Sequence, residues 1–158
     1  MKVPRLHAGQ VDVLRNLECG KDVCLLARTG FGKSLVFQSL YWMLEAKLQQ
    51  KARDQERAAG HPKRKITFVF IPLSGIGEEQ VETLKDIEDN PNAAFFFDRS
   101  KAEPRHLDDI FSGRYRVVYI SPEKALHPTV VQKLWANEAF RGRVNLIAVD
   151  EAHLVHDW

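Results

Sequence analysis

Apolar positions along the chain follow two rhythms that take turns. Val11, Val13, Leu14 and Leu17 recur at helical spacing and predict a short amphipathic helix. Val23-Cys24-Leu25-Leu26 is a continuous apolar run entered through the turn residues Gly20-Lys21-Asp22, and it predicts a strand with Cys24 in its core. Leu35, Phe37, Leu40, Tyr41, Leu44 and Leu48 return to helical spacing and predict a helix facing a sheet, with Trp42 and Met43 as core residues bordering the stripe. Residues 49–65 are polar; their first part prolongs that helix and the rest, with Gly60 and Pro62, reads as an exposed loop. Residues 66–71 form a second unbroken apolar run, stopped by Pro72, as expected of a strand buried on both faces of a parallel sheet.

The alternation continues to the end. Residues 78–87 predict a helix with Val81 and Leu84 inward, residues 93–97 a third strand, and residues 104–111 a short helix opened by Pro104. Residues 116–120 predict a fourth strand, residues 128–140 a helix carrying Val130, Val131, Leu134 and Trp135, and residues 144–149 a fifth strand. Strands alternating with helices predict an α/β fold: an open, mostly parallel sheet with helices on both faces, in one domain spanning 1–158 without an internal linker or repeat.

Two junctions in this pattern carry chemistry. The first is Ala27-Arg28-Thr29-Gly30-Phe31-Gly32-Lys33-Ser34, between the first strand and the long helix. Gly30 and Gly32 allow a sharp turn and close approach of the backbone to a ligand. The loop amides and the free N–H groups at the helix start then converge on an anion, the arrangement of a phosphate-binding loop. Lys33 would steady the β- and γ-phosphates of ATP, and the Ser34 hydroxyl would reach Mg²⁺. Ala27 stands where the strict pattern has glycine, and an ordinary glycine loop before a helix is the competing reading.

The second junction is Asp150-Glu151-Ala152-His153, where the fifth strand ends. Ligands of parallel α/β sheets lie beyond the carboxyl ends of the strands, so Asp150 would hold the metal and Glu151 would act as general base on the attacking water. Alone, the pair could be a solvated strand end; beside a phosphate loop the two features complement each other. His153 and His156 are spaced like a short metal pair, but the other four histidines are scattered and no cysteine lies near them. His153 is instead read as a hydrogen-bonding residue of the nucleotide site.

Composition narrows the class. No run of about 18 apolar residues exists, so no membrane span is expected. The polar first ten residues do not read as a signal peptide. Two cysteines imply neither a disulfide framework nor a zinc site, and a reducing intracellular compartment is expected. The net charge of +2 conceals an asymmetry: residues 1–65 hold 13 Lys+Arg against 6 Asp+Glu, a balance of +7, leaving −5 for the remainder. A basic first half suits nucleotide and nucleic acid; the simpler reading of the stretch between Lys51 and Lys65 is a solvated connector.

Together these stretches resemble the first motor domain of a DExH helicase, specifically of the RecQ family. Residues 27–34 match its motif I, and Asp150-Glu151-Ala152-His153 its motif II. Phe70-Ile71-Pro72-Leu73 through Glu79-Gln80-Val81 is similar to motif Ia, and residues 119–126 resemble the block before motif II. Leu6-His7-Ala8-Gly9-Gln10 resembles motif 0, which implies that Gln10 reads adenine, since an amide can donate and accept against N6 and N7. His7 stands where that motif usually carries arginine, and Asp157 replaces a usual glutamine after motif II, next to an aromatic match at Trp158.

The resemblance implies a RecA-like, three-layer P-loop NTPase fold, incomplete at its C-terminal end. The family adds a motif III strand between the phosphate-loop strand and the motif II strand, and a second motor domain with an arginine finger; neither is expected within 1–158. The implied activity is that of an ATP-dependent 3′-to-5′ DNA helicase acting on a single strand or duplex junction, located in the nucleus if the source is eukaryotic. Ser74, Gly75 and the basic connector are DNA-contact candidates by position alone. Two alternatives remain: an RNA helicase of the DEAD or DEAH classes, and a nucleotide-binding fragment without turnover.

Overall fold

The computed structural model describes residues 5–28, 30–54, 65–72, 74–88, 90–97 and 104–157. They fall into two compact units, residues 1–62 and 63–158.

The first unit is built on two helices, α1 (Ala8–Glu18) and α2 (Lys33–Asp54). In α1, Gln10 and Leu14 stand four residues apart on one buried face. The helix ends near Gly20, whose φ of +73° is the left-handed turn that glycine takes without cost. In α2 the sequence-based stripe is only part of the buried surface. Phe37 and Leu40 are buried as expected, and so are Val36, Gln38 and Ser39. The helix runs on to Asp54, as the polar stretch suggested, and the remainder of the predicted loop, 55–64, lies outside the described residues.

The strand expected at Val23–Leu26 is not formed. Residues 21–28 carry no regular structure, Leu26 is 92% exposed, and Cys24 is exposed rather than core. A strand exists only through hydrogen bonds to a neighbour, so an apolar run with no pairing partner stays irregular. All four strands described here pair with one another and belong to the second unit.

That unit holds β1 (Ile66–Phe70), β2 (Ala94–Phe97), β3 (Val117–Ile120) and β4 (Val144–Val149), paired in the order β2-β3-β1-β4 with every pairing parallel. Parallel neighbours require a crossover, and α3 (Ser74–Glu88) and α4 (Pro104–Ser112) supply the first two. Between β3 and β4 the sequence predicts one helix over 128–140. The structure instead shows α5 (Pro122–Ala125), α6 (Pro128–Val130), a π-helical turn (Val131–Trp135) and α7 (Glu138–Arg141). The break has a local cause: the Asn137 side chain accepts the Phe140 N–H, capping α7 and interrupting the helical ladder.

Both faces of the sheet are covered. Ile66 and Phe68 alternate onto one face, where Phe97, Ile110, Leu134 and Phe140 complete a buried cluster. On the other face Phe96 meets α3 so closely that a Cβ at Gly77 would lie 2.7 Å from its ring. The expected inward residues of α3, Val81 and Leu84, are buried. In the third crossover Val130 and Leu134 are buried as expected, whereas Val131 is 39% exposed. β4 is more open than β1: Ile147 is 52% and Val149 42% exposed. β4 takes the last place in the order, so among the described strands it has a neighbour on one side only.

Tyr115, just before β3, stacks on Phe95 with ring centroids 4.7 Å apart. Burial, and then the Asp109 carboxylate, raise its phenol above the ordinary value of 10.0. An acid whose folded pKa is raised stabilises the fold fully below its unfolded pKa and loses that contribution as pH climbs through the folded value. Thermal stability is therefore expected to decline above about pH 10, and Tyr115→Phe to flatten that alkaline limb in melting curves. An unchanged limb would show that the phenol does not report on folding.

Candidate nucleotide site

The glycine loop sits at the start of α2, and its conformation is the feature the sequence anticipated. Gly30 has φ +82° and Gly32 φ +80°, left-handed values that cost an L-residue roughly 1–2 kcal/mol. Phe31 N–H donates to the Arg28 carbonyl at 3.2 Å, tightening the turn, and Leu35 N–H donates to the Gly32 carbonyl at 3.1 Å, opening the helix. Thr29 lies outside the described residues. The Lys33 ammonium folds back across the loop and donates to the Ala27 carbonyl at 3.4 Å, a long bond to a neutral acceptor. A cation laid over a turn whose helix start offers free N–H groups is the donor set an anionic phosphate would satisfy. Ser34, in the first turn of α2, is half-buried.

Gln10 is placed against this loop. Its Nε2 donates to the carbonyls of Phe31 at 3.0 Å and Gly32 at 3.2 Å. Its Oε1 accepts the His7 N–H at 3.1 Å. His7 Nε2 lies 3.2 Å from the same Phe31 carbonyl, and the imidazole packs edge-on against the Phe31 ring at 4.4 Å. Sequence reasoning assigned Gln10 to the site through family resemblance but not this attachment, which no spacing in the chain announces.

In the second unit the acid pair lies at the carboxyl edge of the sheet, as parallel strands require. Asp150 N–H donates to the Phe70 carbonyl at 2.9 Å, so pairing runs one residue past β4 and fixes Asp150 beside the end of β1. The Asp150 carboxylate accepts the Glu151 N–H at 3.0 Å. Glu151 has φ +50°, the one left-handed non-glycine among the described residues. Such strain persists where the surroundings over-determine it, and here the Asp150 cap and the Leu154 N–H on the Glu151 carbonyl, at 2.9 Å, hold both sides. The two carboxylates have different partners. Glu151 Oε2 lies 3.3 Å from His153 Nδ1.

A 3₁₀ turn, Ala152–Asp157, follows. Among the described residues no group of three His, Cys, Asp or Glu could hold a metal ion by itself. A cation at Asp150 would need further oxygen ligands.

A family profile described as DEAD/DEAH box helicase matches residues 7–158. The chain belongs to the DEAD/DEAH box helicase family. The resemblance drawn from the motifs is thereby confirmed, and with it the P-loop NTPase class of the fold. RecQ-family relatives span nearly all of the chain. It is 30% identical over 159 residues to the ATP-dependent helicase SGS1 of Saccharomyces cerevisiae, covering 99% of this chain and 10% of that protein. It is 26% identical over 153 residues to the ATP-dependent DNA helicase RecQ of Haemophilus influenzae, covering 95% and 20%. A protein of Acanthamoeba polyphaga mimivirus that carries an RNA helicase name is 29% identical over 147 residues, covering 92% and 22%. The chain spans only 8% to 25% of the length of such relatives. No described helix is long and apolar enough to cross a membrane.

Proposed function

We propose that this chain is the ATP-binding part of a RecQ-like helicase that couples ATP hydrolysis to 3′-to-5′ separation of DNA strands. The observation that carries the reading is the paired left-handed glycines around Phe31 with Lys33 folded over them. The amides of residues 30–34 hold the phosphates, and Lys33 exchanges its weak bond to Ala27 for the β- and γ-oxygens. The Ser34 hydroxyl and the Asp150 carboxylate are the oxygens that would be offered to Mg²⁺, which would supply charge stabilisation for the transferred phosphoryl group. Glu151 takes the proton of the attacking water, and His153 orients that carboxylate. Ala27 and Arg28 complete the loop wall, and Thr29 is proposed with them from its place in the sequence.

DNA, as a single strand or duplex junction, is the proposed partner, with Ser74 and Gly75 at the start of α3 as the contact candidates. Turnover and unwinding call for a second motor domain, consistent with the small share of each relative that the chain spans. The name of the mimivirus relative favours a second reading, an RNA substrate.

Binding measurements test both. Fluorescence titration should show Mg²⁺-dependent binding of an ATP analogue. Anisotropy at low salt should show single-stranded DNA bound more tightly than RNA of the same length. Tighter RNA binding would transfer the proposal to the RNA reading. Strand separation by the 158-residue polypeptide alone would refute the need for a second domain.

A further inference from the structure

Gln10 is 3% exposed, and each end of its amide is already engaged: the oxygen by the His7 N–H, the nitrogen by two loop carbonyls. Both N–H groups of the amide are spent on the loop, so an adenine ring nitrogen could accept from it only by displacing a loop carbonyl. Gly32 shows how close the attachment is, because a Cβ there would stand 2.7 Å from Gln10 Nε2. Glycine at 32 thus serves two needs, its left-handed φ and the room for this side chain. The Gly32 carbonyl also accepts the Leu35 N–H that begins α2. Gln10 therefore touches the hinge between the loop and the helix that carries Lys33 and Ser34.

We infer that Gln10 is a positioning residue for the phosphate loop, holding the Phe31 and Gly32 carbonyls so that the amides and Lys33 face the triphosphate whatever base is attached. His7 assists from outside, through its Nε2 contact and its edge-on packing on Phe31. The proposal rests on the phosphate-loop reading above. It predicts a change in affinity that follows the phosphates and ignores the base. Losing the two bonds should weaken binding by about tenfold for every triphosphate.

The test is titration of the 158-residue chain, its Gln10→Ala variant and its His7→Ala variant with mant-ATP and mant-GTP, with tripolyphosphate as a competitor. Gln10→Ala is expected to lose affinity for all three ligands by the same factor. The exposed His7→Ala should show the same pattern at about threefold and keeps the test alive should Gln10→Ala fold poorly. The amide NMR signals of Gly32 and Lys33, which follow the two bonded carbonyls, should shift in Gln10→Ala while those of Phe68 and Val69 in β1 stay in place. A loss confined to mant-ATP, with tripolyphosphate unaffected, would overturn the inference in favour of adenine reading. Parental protein that binds none of the three would instead remove the phosphate-loop reading itself, and this inference with it.

Discussion

Lys33→Ala is expected to weaken ATP binding by on the order of 10- to 100-fold, the equivalent of a charge-assisted hydrogen bond of about 1.5–3 kcal/mol. Among the described residues the ammonium has one long bond, to the Ala27 carbonyl at 3.4 Å, which stabilises the empty loop little and is readily exchanged for phosphate oxygens. Its removal should therefore leave folding almost unchanged while affinity collapses. Melting curves of parent and variant should overlap within a few degrees, and mant-ATP titrations should separate widely. Lys33→Arg should recover little, because a planar fork does not replace a compact point charge in a tight turn. Coincident titration curves for parent and Lys33→Ala would mean that the loop does not bind phosphate in this chain.

Phe68→Ala should cost roughly 3–5 kcal/mol, a large share of the 5–15 kcal/mol that holds a typical domain together. Phe68 is fully buried at the centre of β1, with Trp135 edge-on at 4.8 Å and Phe140 at 6.1 Å. Its loss opens a cavity between the sheet and the third crossover, whose Leu134 and Phe140 belong to the same buried cluster. Thermal unfolding should shift down by roughly 10 °C or more, with the near-ultraviolet signal of Trp135 lost in the same transition. Leu126→Ala, at a position 73% exposed, should change stability by no more than about 0.5 kcal/mol and serves as the control. A shift of a degree or two for Phe68→Ala would mean that this cluster is not the core of the second unit.

Much of this was legible from residue order because the signals are local. The runs at β1, β2, β3 and β4 needed only apolar side chains in sequence, and all four are strands. The loop at Gly30 and Gly32 was legible because few residues other than glycine take a left-handed φ at little cost, so its chemistry is written in the residue type. Asp150 at the carboxyl edge followed from the direction of a strand that ends in acids. The helix predicted at 128–140 failed because one asparagine cap outweighs a hydrophobic period across a short stretch.

Residue order by itself therefore determined the alternation of elements, the family, and where the two chemical junctions stand in the chain. Tertiary structure decided whether a given apolar run becomes a strand: Val23–Leu26 and the β4 run look alike on paper, yet only β4 finds a neighbour whose backbone completes its hydrogen bonds. It also decided that the amide of Gln10 would be spent on the carbonyls of Phe31 and Gly32, and that Glu151 would take a strained backbone. The physical reason is the same in each case. Helical period and glycine freedom belong to neighbouring residues, whereas strand pairing and side-chain-to-backbone bonds depend on partners that only folding brings close.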